Sequence, residues 1–541
     1  MKQDKRNQIL DCTLRDGGRI IDCAFRNDQI TGIIGRLIQA KIDIIEIGFL
    51  RDNAKYDGNS TFFDHIEQAE ALIPLNETSE FTLFIDFGMY DVRKLPYYNM
   101  GSICGIRYGF TKQNFLQSRE NIKREMLMIK EKGYKLYFQG VNTVGYSDKE
   151  LLDLIDLANE VIPYSFGIVD TYGAMYAEDL DRLFTLVDFN LNSNATIDFH
   201  GHNNMQMAFA LAQKAVGLCQ GRRKLVIDAT LDGMGKCAGN LNTELVASYL
   251  NQKCRKNYEF DFLLDAIDEY VEVFKHHEVW GYSLPGLMAG IYKSHPNNVI
   301  YLTDKFRIST KDIRKMLSLI DEDKRQRYDY ENIRNIYKNY FADPLDDGDA
   351  LEELRQYIGK NEVLLLAAGL SVKTYDESLK EYIKENQPFV ISVNFVSKYS
   401  NFVFWGNDRR YQKYDVVSLP QDIKVIITSN VTQRKGNEIT FNYIDCIAET
   451  GNYFDNSSIM LLNLLQRIDV KRIKIAGMDG FSNDKANYFN DEDIDKRCAG
   501  QFEEINRELE GHLYRFAERN RDKIDIQFIT PSRYENAIKI K

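Results

Sequence analysis

Short apolar runs recur from residue 8 to residue 230, at 8–12, 42–48, 82–87, 105–109, 136–142, 165–170, 196–200 and 226–230. They are rich in β-branched and aromatic residues and bounded by Gly, Asp or Asn, which predicts buried strands. The segments between them are long enough for a helix each. Residues 28–40 and 147–161 are two such segments, and Ile30, Ile33, Ile34, Leu37 and Ile38 follow helical spacing in the first. Eight strand–helix units over this length predict a (β/α)₈ barrel. An open doubly wound sheet alternates in the same way. Asp16, Glu46, Asp86, Asp170, His200 and Asp228 all fall at or just beyond the C-terminal ends of expected strands. In a barrel those ends converge on one mouth, which favours the closed form.

The pattern then changes. Residues 258–345 read as mostly helical, for example 262–274 and 311–319. The acidic stretch 341–350, FADPLDDGDA, is the expected boundary. A second alternating pattern follows, with strands expected at 362–367, 389–394, 423–428, 472–476 and 525–529, and helices at 458–467 and 499–519. The expected division is a barrel over 1–260, a helical extension over 261–345 and a Rossmann-like α/β domain over 346–541.

Composition narrows the function. A chain of 541 residues exceeds one ordinary core. A net charge of −11 argues against a general nucleic-acid or anionic-membrane binder. Cysteines stand singly at 12, 23, 104, 219, 237, 254, 446 and 498 with no C-x-x-C pair. That is neither a disulfide framework nor a cysteine zinc site, and it fits a reducing cytosol. No stretch approaches the roughly 20 apolar residues of a membrane span, and the N-terminus lacks an apolar leader. A cytoplasmic enzyme is the expectation, and a homo-oligomer stays open.

Candidate chemistry centres on His200 and His202 in IDFHGHNN. Residues i and i+2 of an extended segment point the same way, so both imidazoles can face one point. H-x-H alone also describes a polar strand end. Two histidines with a carboxylate from another strand end can hold a divalent metal with open positions. Asp16 in CTLRDGG is placed to supply it, with Arg15 beside it as a fixed cation for a developing enolate oxygen. An Arg–Asp pair capping the loop is the bland alternative. Gly17 and Gly18 let this loop turn tightly past a ligand. In LDGMGKCAGNLNTE, Asn240 offers a carboxamide oxygen to a metal.

Five motifs in order carry a resemblance: T-L-R-D-G at 13–17, I-E-I-G at 45–48, V-D-T-Y-G at 169–173, F-H-G-H-N at 199–203 and A-G-N-L at 238–241. Residues 8–300 resemble the DRE-TIM metallolyases, with V-D-T-Y-G-A-M closest to the 4-hydroxy-2-oxovalerate aldolase branch. The resemblance implies Asp16, His200 and His202 as metal ligands, joined by Asn240 as in the CoA-lyase branch, and Mn²⁺ or Mg²⁺ as the ion. It implies Arg15 as the enolate-stabilising arginine and Thr171 as a contact to a substrate carboxylate. Glu46, Tyr172 and Arg19 complete the expected substrate contacts. The chain departs from the aldolase branch in one respect. Where that branch has an acid–base histidine, this chain has Arg19, which cannot act as a base at neutral pH. Arg19 is expected to hold a second anionic group. Tyr56, Tyr172, His276 and His277 are alternative proton-transfer groups.

Residues 360–541 resemble bacterial sialyltransferase-like and motility-accessory-factor-like domains, through the A-G-x-S turn at 368–371, N-F at 394–395 and I-x-G-x-D-G-F at 475–481. Leu370 stands where the usual turn has Pro. The resemblance implies sugar-nucleotide contacts at Gly369, Ser371, Asn394 and Asp479. His512, in a charged helical stretch, is expected at the surface. Together these readings imply a metal-dependent aldolase or Claisen-type lyase acting on a 2-oxo acid, in surface-polysaccharide or modified-sugar synthesis. A glycosyltransferase working through the C-terminal domain, with the barrel as scaffold, is the alternative. A non-catalytic binding protein with a residual metal site is a third.

Overall fold

The computed structural model describes the chain apart from residues 1–5, 76–77, 220–222, 307, 343–344, 413–421, 433, 483–486, 489–500 and 540–541. Cys498, the first two residues of the expected helix at 499–519, and two residues of the expected boundary stretch fall outside the described set. The described residues form two compact units, 1–300 with 320–328, and 301–319 with 329–541. The helices expected as a separate extension are therefore shared between both units.

The first unit is a closed parallel barrel. Its strands are β1 (Asn7–Asp11), β2 (Ile44–Leu50), β3 (Glu80–Asp86), β4 (Ile103–Phe110), β5 (Lys135–Gly140), β6 (Ser165–Asp170), β7 (Thr196–Gly201) and β8 (Leu225–Ala229). Each pairs with the next, and β1 pairs with both β8 and β2. That last pairing excludes the open sheet. The strands form because their residues are buried on both faces, inward into the barrel and outward against the helices. The helix Asn27–Gln39 shows the outer layer. Ile30, Ile33, Ile34 and Leu37 share one stripe and enter the core.

Segments beyond the barrel strands fold back over its C-terminal mouth. Trp280 donates its Nε1–H to the Asp232 carbonyl at 2.9 Å. The helix Leu284–Ile291 packs its Gly286 against Asn204, where a Cβ would lie 3.0 Å from Oδ1. Residues 320–328 return to the same place. Tyr172 donates its hydroxyl to the Gln326 carbonyl at 2.9 Å, and the His295 amide donates to the Arg325 carbonyl at 2.8 Å.

The second unit contains a seven-stranded, all-parallel sheet. Its strands are β9 (Val363–Leu366), β10 (Phe389–Val393), β11 (Phe402–Trp405), β12 (Lys424–Thr428), β13 (Ile439–Phe441), β14 (Arg472–Ala476) and β15 (Asp525–Phe528), in the order β13-β12-β11-β10-β9-β14-β15. Two of them, β11 and β13, have no counterpart in the expected pattern. The order reverses at β9, whose neighbours are β10 and β14. The acidic stretch at 341–350 is anchored to this unit, since Asp347 pairs with Arg467 at 2.6 Å and accepts the Asn442 amide. His512 is buried, contrary to the surface position expected for it. Among the described residues no helix is long and apolar enough to cross a membrane, and no disulfide joins the seven described cysteines.

Candidate functional site

Strand ends and the loops after them assemble one polar centre. Asp16 lies on the turn after β1, and His200 and His202 sit at and just past the end of β7. Donor atoms from the three side chains lie within 4.8 Å of one another. His202 Nε2 is 3.1 Å from Asp16 Oδ2, and His200 Nε2 is 3.7 Å from the same oxygen. The other ring nitrogens are held from behind. His200 Nδ1 lies 2.9 Å from Asp228 Oδ2, and His202 Nδ1 3.0 Å from the Asp170 carbonyl. Such bonds put the proton on Nδ1 and turn the Nε2 lone pairs toward Asp16, the arrangement a metal-binding histidine needs.

Asn240 supplies an independent test of fit. A β-bridge places it opposite His202. Its Nδ2 donates to the Met234 carbonyl at 3.0 Å, while its buried Oδ1 has no hydrogen-bond partner. A buried carboxamide oxygen without a partner is costly unless something else takes its lone pairs. A cation held by Asp16, His200 and His202 would take them, so the residues present fit a hard divalent ion. Gly239 makes this turn possible. It adopts φ +76°, and a Cβ there would lie 2.0 Å from the Gly233 carbonyl oxygen.

Arg15 is locked beside the triad. Its Nη1 donates to Asp16 Oδ1 at 2.5 Å and its Nε to Glu46 Oε2 at 2.6 Å, and it lies over the Phe84 ring at 4.6 Å. Gly18 permits this tight loop, because a Cβ there would meet the Phe25 ring at 2.8 Å. Although burial alone would raise it, the Arg15 guanidinium, with His202 and His200, holds the Asp16 carboxyl well below the usual range. Burial, reinforced by His202, pushes His200 down to about 3. Against the effect of burial, the bond to Asp16 raises His202.

Beneath this layer lies a charged core that the sequence motifs do not reveal. Arg107, on β4, is buried and binds Glu46 at 3.2 Å, Asp198 at 3.1 Å and Asp228 more closely still. Asp198 also accepts from Gln139 Nε2 at 2.6 Å. Burial raises Asp198 to about 7, and the adjacent Asp228 adds to the shift. The available signal was a charged residue inside an otherwise apolar strand, and an aspartate two residues before His200 on the same face.

Other expected site residues are placed as follows. Glu46 is fully buried and faces Arg15 and Arg107, so it positions arginines and does not reach the mouth. The Tyr172 hydroxyl is spent on Gln326, and burial raises its pKa. Thr171 Oγ1 accepts the Asn142 amide at 2.9 Å. Arg19 lies at the mouth, 3.2 Å from Asp16 Oδ1 and 3.5 Å from Asp86 Oδ2. Tyr56 packs on Phe63 at 5.1 Å, and His276 and His277 are exposed.

With this geometry in place, the comparisons bear directly on it. Residues 6–268 match the HMGL-like family model. The N-terminal half of the chain is an HMGL-like domain. A 4-hydroxy-2-oxovalerate aldolase from Moorella thermoacetica is 24% identical over 318 residues, 56% of this chain and 89% of that protein. A homocitrate synthase from Pyrococcus horikoshii is 25% identical over 252 residues, 45% of this chain and 64% of that protein. The crystal structure of the HMG-CoA lyase from Brucella melitensis aligns with a TM-score of 0.40 and 14% identity, over 50% of this chain and 98% of that one. The HMGL-like domain makes this chain an enzyme of the metal-dependent aldolase and lyase class.

The second unit has a cleft at the C-terminal ends of β9, β10 and β14. Gly369, Asn394 and Asp479 line it, together with Arg410, Ser457 and Ser458. Ser371 is turned elsewhere. Its amide donates to Asp479 Oδ2 at 2.7 Å and its hydroxyl to Asp479 Oδ1. The Asp479 carboxylate therefore occupies both the amide and the hydroxyl of Ser371. Asn394 adopts φ +63°, and its Oδ1 is buried without a partner.

Proposed function

We propose that the barrel makes or breaks a carbon–carbon bond next to the carbonyl of a 2-oxo acid, through a pyruvate-like enolate. The observation that carries this reading is the conjunction of three convergent ligand atoms, an unpartnered Asn240 oxygen and an arginine clamped onto the same Asp16 carboxylate. Asp16, His200, His202 and Asn240 would hold Mn²⁺ or Mg²⁺, which when bound polarises a carbonyl as a Lewis acid.

The protein's own groups then have defined tasks. Glu46 and Asp16 fix the plane of the Arg15 guanidinium. A donor fixed in advance stabilises charge that develops on the enolate oxygen without reorganising during the reaction. Thr171 uses its lone pair on the Asn142 amide, which leaves its O–H to donate to the substrate carboxylate. The segments over the mouth reduce water access, which strengthens each of these interactions.

The test is a panel of 4-hydroxy-2-oxo acids, run on the metal-loaded and the chelated enzyme. Release of a 2-oxo acid fragment that disappears on chelation and returns with Mn²⁺ is the expected result. Turnover that persists after chelation would sink the reading.

A second reading concerns the other unit. In open parallel sheets, ligands bind where the strand order reverses, and the cleft beside β9 lies there. This supports binding of a small hydroxylated anion, such as a sugar nucleotide, by Asn394, Arg410, Ser457 and Ser458. Titration calorimetry with sugar nucleotides on wild type and Asn394→Leu tests it. Equal heats from both would count against it.

A further inference from the structure

The loop that carries Arg19 meets the loop that carries Lys236. A Cβ on Gly17 would lie 3.3 Å from the Met234 carbonyl oxygen, and the two cations stand two residues further along each loop. Lys236 is half-buried and makes no ion pair among the described residues. Its Nζ lies 3.4 Å from Asn297 Oδ1. The backbone amide of the same Asn297 donates to His295 Nδ1 at 3.1 Å. Asn297 thus contacts both the ammonium and the imidazole, and His295 lies between the rings of Tyr172 and Tyr328.

The protonation of His295 follows from this bond. Nδ1 is occupied as an acceptor, so the neutral ring carries its hydrogen on Nε2. Burial first, then the fields of Lys236 and Arg19, hold its pKa at about 4. At neutral pH the ring is an uncharged donor, and it has no spare lone pair with which to act as a base. Arg19 and Lys236 carry hydrogen-bond donors and no acceptor. The acidic groups facing them are Asp16 and Asp86, both on the Arg19 side.

We propose that Arg19, Lys236 and His295 form a subsite for a second anionic group on the substrate, a phosphate or a carboxylate at the end remote from the 2-oxo acid. This rests on the 2-oxo acid reading above and names its substrate class. Three donors on separate segments suit an anion with two or three oxygens, whose charge a neutral alkyl or hydroxyl tail cannot supply. The subsite also accounts for arginine at position 19, where the aldolase branch has a histidine. Its role is recognition, and the proton chemistry lies elsewhere.

The test uses the metal-loaded full chain. The first arm measures kcat/KM for matched 4-hydroxy-2-oxo acids ending in phosphate, carboxylate or hydroxyl. Wild type should prefer an anionic end, and which anion it prefers identifies the source. Lys236→Met should cut that preference about 10- to 100-fold, the size of one charge-assisted hydrogen bond, and Lys236→Arg should recover part of it. An equal loss on charged and neutral substrates, or no preference in wild type, would overturn the proposal. The second arm needs no turnover. Inorganic phosphate and malonate are titrated while the His295 ring is followed by NMR. Bound anion should raise the His295 pKa in wild type, and Lys236→Met should shift it less. An unmoved His295 signal at saturating anion overturns the subsite even if the lyase reading holds. A moved signal with no turnover on any substrate rejects the lyase reading and keeps the subsite.

Discussion

Arg107 gives the sharpest structural prediction, because three buried carboxylates depend on it. Glu46, Asp198 and Asp228 face two guanidiniums, Arg15 and Arg107, all within the barrel. Burial already raises Asp198 to about 7, with Asp228 adding to the shift, so this core tolerates little further loss of positive charge. In Arg107→Met, the three carboxylates would face Arg15 alone. Breaking a buried ion pair from one side costs about 3–5 kcal/mol. A domain of this size loses about 2–4 °C of melting temperature per kcal/mol, so calorimetry should show the barrel transition about 6–20 °C lower. Metal binding should weaken too. Without Arg107, Asp228 holds its proton more tightly and donates to His200 Nδ1, which moves the ring proton to Nε2 and blocks the ligand lone pair. The expected loss in metal affinity is about 10- to 100-fold. Adding Asp228→Asn removes one unbalanced carboxylate while keeping an acceptor for His200. The double variant should therefore be more stable than Arg107→Met alone. A melting loss under about 2 °C for Arg107→Met, or strictly additive effects in the double variant, would refute the reasoning.

Two further predictions follow from single residues. Arg15→Lys should lower turnover on the order of 100- to 1,000-fold at full metal occupancy, since an ammonium cannot reproduce the guanidinium held by Glu46 and Asp16; near-wild-type turnover would reject the enolate role. His512 is buried and held at about 4 by burial and Arg515. Its folded value lies below its unfolded value of 6.5, so the unfolded chain binds its proton first and stability falls as pH drops from about 6.5 to 4, by at most about 3 kcal/mol. Denaturant melts of His512→Gln should show a flatter profile over that window; an unchanged slope would reject the assignment.

The barrel was legible because each strand is a short apolar run buried on two faces, so its position survives without any knowledge of its partners. The convergence of Asp16, His200 and His202 was legible for a related reason. His200 and His202 share one strand end, and Asp16 follows the first strand in a distinctive loop. What escaped reading depends on distance along the chain. Arg107 meets Asp228 across 121 residues and Asp198 across 91, and nothing local marks these as partners. The cover on the mouth is the same case, since Tyr172 meets Gln326 across 154 residues. In the second sheet, β13 is only three residues long, too short for an alternation to register, and only eight residues separate β11 from β10, too few for the crossover helix that an alternating pattern expects. His512 misled because its helix is charged on one face, while the face carrying Leu509, His512, Leu513 and Phe516 is buried.

The central claim is that Asp16, His200 and His202 hold one divalent ion in the barrel. Elemental analysis of the full chain, reconstituted with Mn²⁺ and freed of loosely bound metal, tests it most directly. The account predicts about one ion per chain in wild type and none in the His200→Ala/His202→Ala variant, with both melting as folded proteins. Equal metal content in the two would contradict it.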